Sequence, residues 1–178
     1  MLNSAWFPHC TEATKQKSAE ILDGVLIKLK IWLRGYCIII IIESIFYTIT
    51  FTLLGVQFGL ILGLIAGCTI LLPYIGPVVS ALLTIIISLT IGDMSMSRII
   101  IIILSYIIMT GIIDQLFIYP AIVGGALGLN ELETIVVVLL GGMLFGITGM
   151  IFAVPTISII KYLIPEIYKL IEEFNTNK

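Results

Sequence analysis

Five apolar runs, at residues 36–54, 56–72, 74–91, 99–119 and 135–160, constrain this chain more than any other feature. Run 99–119, wound as a helix at about 1.5 Å per residue, would be roughly 31 Å long, enough to cross the hydrocarbon core of a bilayer. The rest of the composition supports lipid as the solvent. Hydrophobic residues make up 60% of the 178 and charged residues 11%, so nine Lys and Arg with eleven Asp and Glu would have to coat a soluble domain. That is too little polar surface for a water-soluble fold of this size. The sequence predicts an all-α, polytopic helical membrane protein with about four to five membrane segments in contact with the lipid bilayer.

Charge divides the chain into three parts. Residues 1–35 hold Lys15, Lys17, Lys28, Lys30 and Arg34, and from Ser18 the apolar residues Ile21, Leu22, Val25, Leu26, Leu29, Trp32 and Leu33 recur at helical spacing. This predicts an amphipathic lead-in helix at the membrane surface, followed by a transmembrane domain over residues 36–160 and an amphipathic tail over 161–178. Basic residues before the first run place the N-terminus in the cytoplasm. Lys161 and Lys169 argue the same for the C-terminus, yet five full spans would put it outside. One run is therefore expected not to cross. The suspect is the pair of short runs meeting at Leu72-Pro73-Tyr74-Ile75-Gly76-Pro77, where two prolines remove backbone donors and form a Gly/Pro-broken hairpin.

Small residues recur at helical spacing. Gly55, Gly59, Gly63 and Gly67 would line one face of a helix and admit a neighbouring backbone, and Gly142, Gly146, Gly149 and Ala153 repeat the idea in the last run. The plain alternative is that glycine is common in membrane helices. The turn around Pro73, Tyr74, Gly76 and Pro77 has two readings: a broken helix building a substrate site, or an ordinary loop at the surface. Acids inside apolar runs are functional candidates because they are costly in lipid. Glu43 lies within the first run; the bland reading makes it a protonated acid bonded to a hydroxyl such as Tyr47 or Ser44. Asp114, followed by Gln115 and Pro120, lies near the end of the fourth run, and its bland reading is a cap at the headgroups. Pro155 is expected to kink the last run.

Several function classes are disfavoured. A net charge of -2 without a basic cluster does not suit nucleic acid. Cys10, Cys37 and Cys68 form neither a disulfide framework nor a zinc site, and no cofactor or metal site is expected. The single His9 stands in the polar lead-in, and HExxH, GxSxG and phosphate-loop motifs are missing, so an enzyme is not expected. Nothing at the start reads as a cleaved targeting segment.

Three stretches carry a family likeness: Leu33-Arg34-Gly35; Leu54-Gly55-Val56 through Gly63-Leu64-Ile65-Ala66-Gly67 to Pro73-Tyr74-Ile75-Gly76-Pro77; and Asp114-Gln115 through Pro120, Gly124, Leu140-Gly141-Gly142, Gly146-Ile147-Thr148-Gly149 and Ala153-Val154-Pro155. In order and spacing they resemble the C-terminal half of the autoinducer-2 exporter family of bacterial permeases, from about residue 20 to 165. The resemblance implies a multi-pass inner-membrane protein that moves a small molecule or ion, with some members assigned to signal export and others to sodium/proton exchange. It also implies that Asp114, with Gln115 and Pro120, and the Pro73, Tyr74, Gly76, Pro77 turn belong to the transport path. Glu43 falls where the family has an apolar or small residue. Members of the family are longer, with further spans before this region, so the chain is expected to work as a homo-oligomer or with a separately encoded N-terminal half. The alternative expectation is a truncated or split-gene membrane protein with a structural role and no transport of its own.

Overall fold

The computed structural model describes residues 12–91, 94–118 and 127–176, and every regular element among them is helical. The spine is α1 (Glu12–Leu53), which runs from the polar lead-in through the first apolar run with no break at residue 35. No proline interrupts it, so the backbone hydrogen bonding continues for about 63 Å. The chain reverses at residues 54–58, where Gly55 and Phe58 both take positive φ, 69° and 59°.

The second helix, α2 (Gly59–Cys68), then runs back along α1. A side chain at Gly59 would press on the Phe51 backbone, one at Gly63 would run into Thr48, and one at Gly67 would run into Ser44. Three glycines spaced by four thus meet three successive levels of α1, the close backbone approach that drives helix association in lipid. The four-glycine face expected from the sequence is shorter by one: Gly55 belongs to the turn, where only glycine adopts its φ freely.

A 3-10 turn (Thr69–Leu71) and Pro73 separate α2 from α3 (Ile75–Thr90). The buried face of α3 is Gly76, Ser80, Thr84 and Ser88, while Val78, Leu82, Ile86 and Leu89 are exposed. In water the pattern would be reversed. A helix that hides hydroxyls and presents leucine and isoleucine has lipid as its surroundings, and the protein is an all-α membrane protein. Next, α4 (Met96–Tyr106) passes without interruption into a π-helical stretch (Ile107–Ile118), whose wider turns re-aim the side chains it carries.

Two helical stretches, Met96–Ile118 and Leu132–Glu172, are long and apolar enough to cross a membrane. The second does not run straight. Within α5 (Glu131–Thr176), Gly146 has φ 62° and ψ -145°, and the helix folds back on itself there. Gly141 abuts Gly149 backbone to backbone, Ala153 lies against Gly141, and Met150 covers Gly142. At the base, Lys161 donates to both Glu133 carboxylate oxygens (2.7 and 2.8 Å) and to the Gly128 carbonyl (2.8 Å), and Ser158 donates to the Leu127 carbonyl (2.7 Å). The first arm starts at a capping box, Glu133 N–H to Asn130 Oδ1 (2.8 Å) and Asn130 N–H to Glu133 Oε2 (3.0 Å). Each arm between base and bend is about 22 Å, shorter than the roughly 30 Å core. The last run is therefore a hairpin bent at Gly146. Pro155 stays inside the second arm, and the backbone leaves helical geometry at Gly146.

Two apolar clusters hang on α1. Its middle (Trp32, Tyr36, Ile39) packs against Val138, Ala153 and Val154 of the α5 hairpin. Its C-terminal half (Tyr47, Phe51) packs against Leu62 and Ala66 of α2 and Ile99, Ile102 and Tyr106 of α4.

A buried acid pair as the candidate functional site

Four residues apart on one face of α1, Glu43 and Tyr47 are both fully buried. Asp114 comes from the π-helical stretch and is 7% exposed. The structure brings the two acids together: the Glu43 and Asp114 carboxyl groups face each other closely enough to interact side chain to side chain. Yet none of their four oxygens has a hydrogen bond of good geometry to any described residue, and neither does the Tyr47 hydroxyl. The bond from Glu43 to Tyr47 or Ser44 that a purely structural role requires is not made. Nor does Asp114 cap a span end at the headgroups, since it points into the protein against Glu43.

Aromatic rings close the site. Tyr47 stacks on Tyr106 with ring centroids 4.6 Å apart, and Phe51 lies 5.6 Å from Tyr47 and 6.0 Å from Tyr106. Both tyrosines lie within electrostatic reach of Glu43. On the far side of Tyr106 the hydroxyl stripe of α3 begins: its hydroxyl is 3.4 Å from Thr84 Oγ1, Thr84 donates to the Ser80 carbonyl (2.8 Å), and Ser80 donates to the Pro77 carbonyl (3.1 Å). This polar chain connects the acid pair's neighbourhood to the Pro73–Pro77 turn.

The turn itself is tight. Tyr74 has φ 66°, the Gly76 N–H donates to the Leu72 carbonyl (2.8 Å), and a side chain at Gly76 would strike the Thr69 carbonyl. Gly76 is buried, Pro73 and Pro77 are half-buried, and Tyr74 is exposed. Gln115 is exposed, and Pro120 lies outside the described residues. Gly142 and Gly149 serve the α5 hairpin, and Gly146 is its bend with nothing within 4 Å, so it is a turn residue and not a packing one.

Among the described residues no Lys or Arg is paired with the acids. Arg98 bonds the Leu54 carbonyl and Ser95, Lys161 bonds Glu133, and Lys169 bonds Glu166. Among the described residues no group of three or more His, Cys, Asp or Glu is placed to hold a metal ion. A separate groove of about 350 Å³ lies between Leu64, Ile65 and Cys68 of α2 and Ile147 and Ile151 of the α5 hairpin. Its walls are apolar, and the acids are not part of it.

Sequence reasoning missed the roles of Tyr106, Ser80 and Thr84. The four-residue spacing of Gly76, Ser80, Thr84 and Ser88 inside a run of leucine and isoleucine was the available signal.

Against known families, the chain matches "AI-2E family transporter" over residues 6–169. It belongs to the AI-2E transporter family. A relative, "Putative transport protein YrrI" of Bacillus subtilis (strain 168), is 30% identical over 161 residues, covering 90% of this chain and 44% of the relative. The chain thus spans under half the length of that relative. No solved structure matches it.

Proposed function

We propose that this chain is a multi-pass, permease-like component of a bacterial inner-membrane transporter, and that the Glu43–Asp114 pair marks its polar path for a small molecule or ion. The observation that carries the reading is the pair itself. Two acids are buried where lipid surrounds the protein, and their oxygens are left without partners, the condition in which intramembrane acids serve substrate or ion pathways. Membership in a transporter family supports the same reading. The Pro73, Tyr74, Gly76, Pro77 turn is tied to that path through Ser80 and Thr84, and Gln115 and Pro120 flank it by family resemblance. Assembly as a homo-oligomer or with a separately encoded N-terminal half belongs to this proposal, as does the absence of an enzymatic role.

Proteoliposomes containing the purified chain, assayed for autoinducer-2 efflux and for sodium-driven proton movement with an entrapped dye, test it. Flux above protein-free liposomes that falls at least tenfold in Asp114→Asn is the expected result. Flux that Asp114→Asn leaves unchanged removes Asp114 from the path. No flux from a folded, monodisperse chain favours the alternative, a membrane protein with a structural role.

A further inference from the structure

Glu43 and Asp114 pose a charge problem that the described residues do not solve. Moving one carboxylate into a dry interior costs several kcal/mol even after relaxation, and two facing carboxylates add their mutual repulsion. Three remedies exist: a neighbouring cation, a dense set of hydrogen-bond donors, or a positive charge taken from solvent. The first is missing, because the basic side chains with described partners bond elsewhere and neither acid is offset by one. The second is missing too, since all four carboxylate oxygens lack a well-formed donor.

The groups around the pair are few and neutral. On α1 stands Tyr47, fully buried, with an unpartnered hydroxyl that senses both acids. From α4 comes Tyr106, whose hydroxyl is held by the Ser80 and Thr84 side of α3. The helix α2 contains no Asp, Glu, Lys, Arg or His. Four buried carboxylate oxygens without a donor point to something small and positive in the cluster, and the Tyr47 hydroxyl, which could accept or donate, stands at its edge.

We propose that Glu43 and Asp114 form a proton-binding site, in which the facing carboxyls hold at least one exchangeable proton from solvent at neutral pH and Tyr47 closes the site. The proton enters from bulk water, bridges or neutralises one carboxyl, and leaves by the same atoms, so that the two acids titrate as one unit. The inference rests on burial and pairing and holds whether or not the chain carries a substrate.

Dicyclohexylcarbodiimide, an apolar reagent that modifies protonated carboxyls in apolar surroundings, provides the test. The full chain in liposomes is treated between about pH 5 and pH 8, and adducts are located by peptide mass mapping. An ordinary carboxyl loses its protonated fraction roughly a thousandfold over that range. The pair is expected to label at pH 8 within about tenfold of its rate at pH 5, on Glu43 or Asp114. In Asp114→Asn, the labelling midpoint of Glu43 moves to lower pH, because its repelling partner is gone. Asp114→Ser makes the same test on Glu43 if the first variant does not fold. A wild-type midpoint in the ordinary carboxyl range overturns the proposal, as do midpoints that the partner's substitution leaves unmoved.

Discussion

Glycine separates two jobs in this chain that look identical in the sequence. Gly63 has no room for a Cβ because the Thr48 backbone occupies that position, whereas Gly111 has nothing within 4 Å. Both lie inside helical stretches, so the contrast isolates packing from helix propensity. Gly63→Leu is expected to lower the thermal midpoint in detergent, by a loss of about 1–3 kcal/mol or more from overpacking, while Gly111→Ala leaves it near the wild-type value. Equal midpoints for the two variants would mean that α2 does not rest on α1 through its glycines. At this scale much was legible: the spacing of Gly59, Gly63 and Gly67 already announced one close face. Gly55 and Gly146 carried the same spacing signal but serve turns, because composition does not encode the sign of φ.

Elements were legible by length and less so by path. The apolar runs located α2, α3 and α4, and the Leu72–Pro77 break fell where the structure places the 3-10 turn. Run 135–160 read as one span, however, because both arms of a hairpin in lipid need apolar side chains and nothing polar marks the bend. The overlooked signs were at its base, where Asn130 and Glu133 have capping-box spacing and Lys161 stands ready to pair with Glu133. A hairpin and a single span differ in where their ends emerge. With the native cysteines replaced, Leu132→Cys and Ile164→Cys should both react with a membrane-impermeant maleimide from the same face of sealed, oriented vesicles. Labelling from opposite faces would restore the straight span and undo the bend at Gly146.

Across the whole molecule the solvent decides what each face means. The acid pair was out of reach of any pattern, since Glu43 and Asp114 meet only after α1 and the π-helical stretch pack together; the sequence named each acid but not their encounter. The inverted polarity of α3 was written in its residues, and it yields a prediction on which lipid and water disagree. Leu82 is 55% exposed on the side opposite Ser80, Thr84 and Ser88. On a protein surrounded by water, Leu82→Asp would be a surface change within about 0.5 kcal/mol of neutral. Facing hydrocarbon, the same carboxylate costs roughly 2.5–3.5 kcal/mol near the bilayer centre. The variant is therefore expected to show a reduced membrane-integrated fraction after carbonate extraction and a lower thermal midpoint in liposomes. Thr84→Val, on the buried face, should lose only about 1 kcal/mol with its hydrogen bonds to Ser80 and Tyr106. A Leu82→Asp chain as stable and as well integrated as wild type would place that face against water or another protein surface, and the exposed leucines of α3 would then have to be read as an interface.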